Sequence, residues 1–262
     1  MATYLDRILA RHRAVAARDE RPLDALTALA AQAPATRGFT ASLRESSTGA
    51  LAVISEIKRR SPSKGELHPD LDPAAMARAY EAGGAACLSV LTDAEFFGGS
   101  PADLQVARAS CTLPVLRKDF TVCRHDVCDA RLMGADAVLL IAAALDPEEL
   151  VDLHRFAVGL GLDVLVEVHD ERELDQALAA GADRLIGVNQ RDLVTFQVDH
   201  ERAARMAGLI PAGAVKVAES GVRGPDDARA LRAAGYDAVL VGETLVTAAD
   251  PEAAVRNLRV RG

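Results

Sequence analysis

Eight short runs rich in β-branched residues, most of them about 21 to 30 residues apart, constrain this chain more than any other feature. They are LAVISEIK (51–58), ACLSVLT (86–92), PVLRKDF (114–120), AVLLIAA (137–143), DVLVEVH (163–169), RLIGVNQ (184–190), AVKVAES (214–220) and AVLVGET (238–244). Alanine-rich amphipathic segments separate them, such as DPAAMARAYEAG, DPEELVDLHRFAVGLG and GPDDARALRAAG. These segments open on Asp-Pro or Gly-Pro, an N-cap followed by a first-turn proline. Most strands follow EAGGAA, LMGADA, AAGADR or AAGYDA, where glycine can end a helix in the left-handed conformation. Repeated strand-helix units either wind into an open sheet with helices on both faces or close into a (β/α)8 barrel. The first strand is followed by KRRSPSKG, without the GxGxxG of a dinucleotide-binding sheet, so the expected fold is an α/β protein of the TIM-barrel type. A length of 262 residues suits one such domain, 1–262.

The first fifty residues stand outside this rhythm. They read as helices over about 3–18 and 22–33, then a polar connector, GFTASLRESSTGA. This N-terminal helical extension either hides apolar barrel surface or folds over the barrel mouth to help hold a ligand, and both readings stay open.

Composition narrows the function. Half the residues are apolar, aromatics make up 3% and tryptophan is absent, so the core is expected to consist of small and branched aliphatic side chains. A net charge of -8 argues against nucleic acid or an acidic membrane as partner, while a locally cationic cleft can still take a small anion. No run approaches the roughly 18 apolar residues of a membrane span, and MATYLDRILARHRA lacks the apolar core of a secretory signal; a cytoplasmic location is expected. Cys87, Cys111, Cys123 and Cys128 form no CxxC pair, and the six histidines show no HxxxH or HxH spacing, so no metal site is expected.

A closed barrel carries its active site on the loops after the strands. Because alternate strand residues share a face, polar residues two apart at a strand's end both point into the mouth. Glu56 and Lys58 do so at the first strand, Leu116 and Lys118 at the third, Leu165 and Glu167 at the fifth, and Gly187 and Asn189 at the sixth. Crowding is expected to lower the lysine pKa values through like charge and to raise a carboxylate through burial, which would ready them as acid and base. A second group follows strands seven and eight in AESG (218–221) and VGET (241–244), where barrels of this type cradle phosphate. Ser220, Gly221, Gly242, Glu243 and Thr244 are the candidates there, with Ser61 and Lys64 of the first loop nearby.

SEIKRRSPSKG, LSVLTDAEFFGGS, PVLRKDF, VEVH, IGVNQRDL and VAESG, in this order across residues 50 to 245, resemble the indole-3-glycerol-phosphate synthase family. The resemblance implies conversion of the phosphorylated small-molecule substrate 1-(2-carboxyphenylamino)-1-deoxyribulose 5-phosphate into indole-3-glycerol phosphate, with loss of carbon dioxide and water and with no cofactor or metal. It implies Lys118 as general acid on the ketone oxygen and Glu167 as the proton-handling group of dehydration. Lys58 would pair with the substrate carboxylate or share the acid role. Glu56 and Asn189 would orient these groups, Arg191 and Glu219 support the mouth, and Phe97 contact the anthranilate ring. Contact with other tryptophan-pathway enzymes is a further expectation. A different sugar-phosphate lyase or isomerase on the same barrel, or a non-catalytic scaffold, are the alternatives.

Overall fold

A computed structural model describes residues 3–192 and 194–261, so Leu193 of the IGVNQRDL motif lies outside the described residues. Strands β1 (Ala52–Ile57), β2 (Cys87–Leu91), β3 (Val115–Lys118), β4 (Ala137–Ile141), β5 (Asp163–Val168), β6 (Leu185–Asn189), β7 (Val215–Glu219) and β8 (Ala238–Val241) pair in parallel, each with the next. Strand β8 returns to β1 in the register Ala52↔Ala238 to Ser55↔Val241, which closes the barrel. The open-sheet alternative is thereby excluded. No described helix is long and apolar enough to cross a membrane.

Both faces of each strand are buried, which is why the runs read as almost continuously apolar. Ile54, Leu116, Leu139, Leu165, Val217 and Leu240 fill the interior, while the other face packs on the surrounding helices. The interior side chains are aliphatic, so the barrel is a packed core whose polar residues are confined to its upper rim. The outer helices start as their sequences indicate. Asp72, Ser100, Asp146 and Asp250 each accept a backbone N–H of the following first turn, and each is followed by proline.

The extension departs from the sequence reading in one place. Helices α1 (Tyr4–Ala16) and α2 (Leu23–Ala31) fall where expected, but the polar connector forms a third helix, α3 (Phe39–Ser47). Phe39 and Leu43, one turn apart on α3, are fully buried against Ala52, Ile54, Cys87 and Val215 and close the barrel floor. Two large apolar residues among nine gave no helical pattern by themselves; the fit into the floor supplies the ordering. Gly38 enters this helix at φ 74, and Thr40 N and Ser42 Oγ donate to Asp163 Oδ2 (2.9 Å) and Ala86 O (2.8 Å).

The two readings of the extension divide between its first two helices. Leu26 and Ala30 of α2 cover Cys128 on the barrel's outer helical layer. Helix α1 lies over the mouth, with Ile8 buried and Tyr4 set edge-on to both Phe96 and Phe196 at 5.7 Å between centroids. Arg13 fastens it through a two-pronged pair with Glu149 at 2.6 and 2.7 Å.

Candidate active site

The strand ends meet in one charged cluster. Lys118 Nζ donates to Glu167 Oε2 at 2.9 Å and to Glu219 Oε2 at 2.7 Å. Asn189 Nδ2 donates to the other oxygen of Glu167 at 2.9 Å, and Lys58, just after β1, pairs with Glu56 of that strand. Glu56, Glu167 and Glu219 are 4%, 2% and 2% exposed, so their partners are these side chains and not bulk water.

Two glycines make this crowding possible. A Cβ on Gly187 would lie 2.1 Å from Glu219 Oε1, and one on Gly242 would lie 2.2 Å from Glu56 Oε1 and 2.9 Å from Lys58 Nζ. Any larger residue would displace a carboxylate at either position.

The electrostatics reverse one expectation. Burial alone would discharge Lys118, but Glu167, Glu219 and Glu56 outweigh it and hold the ammonium well above its ordinary range. The lysine is therefore a firmly charged donor, not one with a lowered pKa, because its nearest neighbours are carboxylates and not the second lysine. The carboxylates separate. Glu167 resists burial through Lys118 and His169 and stays below the usual carboxylate range. Glu219 is pushed up to about 7, chiefly by burial and then by its like-charged neighbours Glu167 and Glu56, against the pull of Lys118.

Above the cluster opens a cavity of about 590 Å³. Leu91, Phe97, Phe120, Leu139 and Ile141 form an apolar wall, in which the rings of Phe97 and Phe120 stand 6.2 Å apart. Across the cavity, Ser220 (φ 65) and Gly221 (φ 76) turn the chain through two successive left-handed residues after β7. A Cβ on Gly221 would lie 2.5 Å from Val198 Cγ1. Thr244 donates its hydroxyl to Val222 O at 2.6 Å, so this side chain ties the two loops together. The Ser61 hydroxyl is buried and unpartnered at the cavity's edge. Lys64, His200 and Arg223 stand around the same loops.

A grouping with metal-ligand geometry occurs among the described residues at His12, Asp93 and Asp119, whose ligand atoms lie within 4.8 Å of one another. Its carboxylate oxygens already accept protein donors: Phe96 N (2.6 Å) and His12 on Asp93, and Phe120 N (2.9 Å), Thr92 and Arg117 on Asp119. The donor set fits a latch that holds α1 to the loops after β2 and β3.

A family model described as indole-3-glycerol phosphate synthase matches residues 5–258. The chain belongs to the indole-3-glycerol phosphate synthase family. Indole-3-glycerol phosphate synthase 2 of Streptomyces coelicolor is 57% identical over 233 residues, 89% of each chain. Among solved structures, thiamine phosphate pyrophosphorylase from Pyrococcus furiosus superposes with a TM-score of 0.60 at 19% identity, over 79% of this chain and 93% of that one, a likeness of fold alone. As a family member the chain is a carboxy-lyase of tryptophan biosynthesis.

Glu56, Lys58, Ser61, Phe97, Lys118, Glu167, Asn189, Arg191, Glu219, Ser220, Gly221, Gly242, Glu243 and Thr244, all singled out from the sequence, line this one cavity of the indole-3-glycerol phosphate synthase fold. Arg191 is aimed by its Nη1 bond to Phe196 O at 3.1 Å, and Lys64 lies 3.7 Å from Glu243. The sequence reading missed Tyr4, Leu5 and Ile8, since α1 by itself does not reveal which face meets the mouth. It also missed Leu139 and Ile141 of β4. Their two-residue spacing toward a strand end was visible, but in a uniformly apolar run nothing set them apart. Phe120 stood in the PVLRKDF segment two residues after Lys118, which was chosen.

Proposed function

We propose that Lys118 starts ring closure as the general acid, with Glu167 as the group that moves protons in dehydration. The observation that carries this reading is Lys118 Nζ bridging two buried carboxylates beneath an apolar wall, with the left-handed Ser220–Gly221 turn opposite. The anthranilate ring would lie against Phe97 and Phe120 and the phosphate against the Ser220–Gly221 turn. The ribulose chain would then stretch across Lys118.

As the ring carbon attacks the ketone, charge grows on the ketone oxygen, and an ammonium placed there stabilises it and delivers the proton. The new C–C bond forms, the carboxylate leaves as carbon dioxide, and its bonding electrons restore the ring. The hydroxyl then departs as water, Lys58 or Lys118 supplying its proton while Glu167 accepts one from the substrate. Holding both substrate ends is a matter of orientation, worth at best ~7 to 11 kcal/mol of barrier. Asn189 and Glu219 keep Glu167 and Lys118 aimed.

A Schiff-base aldolase on the same barrel needs a neutral lysine, which the three carboxylates around Lys118 oppose. Indole fluorescence after addition of 1-(2-carboxyphenylamino)-1-deoxyribulose 5-phosphate tests the assignment. Lys118→Ala and Glu167→Gln are expected to lower kcat by about 10²- to 10⁴-fold with the circular dichroism of the barrel retained. A Lys118→Ala enzyme working at full rate overturns it.

A further inference from the structure

His169 follows the last residue of β5, two residues after Glu167 and just outside the charged cluster. Glu173, in the first turn of the following helix (Glu171–Ala179), accepts from the His169 backbone N at 2.8 Å and meets ring Nδ1 at 3.0 Å with the same oxygen. A carboxylate only accepts, so Nδ1 carries the hydrogen of that contact. The other ring nitrogen, Nε2, is buried without a hydrogen-bond partner and lies 3.6 Å from Glu167 Oε1. A neutral ring would turn a lone pair toward a carboxylate there; a protonated ring turns an N–H toward it.

We propose that His169, held by Glu173, is the positioning residue that supplies the second counter-charge of Glu167 when substrate draws Lys118 away. This deepens the proposed function, since it rests on Glu167 being the proton-handling group. In the structure Lys118 pairs with Glu167, at 2.9 Å. The same ammonium must face the ketone oxygen during ring closure, and a carboxylate 2% exposed then needs another cation nearby or takes up a proton.

The surroundings of His169 support a charged ring. Burial works against the charge, but Glu173 and Glu167 together raise its pKa above the ordinary histidine value, with Arg202 opposing weakly from the helix His200–Ala207. Among the described residues, the other charged groups of this cluster are Lys118 from β3, Glu219 from β7 and, beyond Lys118, Glu56 from β1 with its partner Lys58.

Two measurements on the full chain test this. The first is the titration of the His169 ring by ¹⁵N NMR, which needs no turnover. Its midpoint is expected to fall by about one pH unit in Glu167→Gln and again in Glu173→Gln. The second is the pH profile of kcat with the carboxyphenylamino-deoxyribulose phosphate. Loss of the cation raises the pKa of Glu167 in the complex, so the acidic limb should move up by about one unit in His169→Gln, with KM within about twofold. Glu173→Gln keeps the ring and should move the same limb in the same direction by less. A His169 midpoint indifferent to Glu167→Gln, or a His169→Gln profile superimposing on wild type, overturns the proposal. Absence of indole product from the wild-type enzyme would instead sink the assigned reaction and leave the NMR comparison standing.

Discussion

Glu219 holds its carboxyl group 2.7 Å from the Lys118 ammonium yet titrates near 7, because the same ammonium is shared with Glu167 and neither carboxylate reaches water. A carboxyl group whose pKa is raised on folding takes up a proton as the chain folds. Its contribution is fully present below its ordinary value of 4.5 and is lost as pH rises through about 7. Glutamine copies the protonated acid at all pH values. Glu219→Gln is therefore expected to melt close to wild type at pH 5 and to be more stable at pH 8 by roughly 1 to 3 kcal/mol. Scanning calorimetry at the two pH values checks it, and an equal difference at both would show that Glu219 is ionised throughout.

Gly187→Ala is expected to damage catalysis through Glu219. The added methyl would meet Glu219 Oε1 at 2.1 Å and Leu165 Cδ1 at 3.2 Å, inside a packed barrel. The carboxylate has to leave Lys118, and kcat should fall at least about tenfold, with ~1 to 3 kcal/mol of stability lost to overpacking. Gly159→Ala is the control, since a methyl there meets nothing within 4 Å. A Gly187→Ala enzyme with unchanged kcat would mean that Glu219 does not need its present position.

What could be read from the chain was whatever depended on strand period. Alternation along each run fixed that Glu56 and Lys58 share a face with Ile54, and Lys118 with Leu116, so the rim followed once the barrel was assumed. Features that depend on the partner across the barrel were not legible. The charge state of Lys118 is one, because alternation brings Lys118 and Glu167 to the same mouth without giving the 2.9 Å between them. Helix α3 is another, since Phe39 and Leu43 acquire their meaning only from the floor they plug. The two-stranded hairpin Arg60–Ser61 with Gly65–Glu66 in the first loop also left no pattern, being too short for periodicity to register.

Asp136 should be a stability residue with little influence on the reaction. It is fully buried just before β4, at the end of the barrel away from the mouth. Its oxygens accept from Arg37 N (2.7 Å), Val115 N (2.8 Å) and Arg108 Nη1 (2.7 Å), which ties the extension, β3 and an outer helix together. Asp136→Ala leaves a part-buried guanidinium and two N–H groups unpaired, and is expected to cost about 3 to 5 kcal/mol. Urea unfolding checks the loss, and KM measured at low temperature should stay within about twofold of wild type.

Helix α1 is expected to act on substrate affinity more than on chemistry. It touches the cavity through Tyr4, Leu5 and Ile8, none of which reaches the charged cluster by a hydrogen bond or ion pair. Its apolar anchor is Ile8, 2% exposed, beside the His12–Asp93 latch and the part-exposed two-pronged Arg13–Glu149 pair. Ile8→Asp places a charge in that contact and should shift the helix toward a detached state without unfolding the barrel, whose core residues lie elsewhere. A cavity that has lost its cover binds substrate more weakly, so KM should rise about tenfold while kcat changes by less than about threefold. Hydrogen exchange gives the structural counterpart: the amides of α1 should lose protection and those of β1 to β8 keep it. An unchanged KM beside unprotected α1 amides in Ile8→Asp would remove α1 from any part in holding substrate.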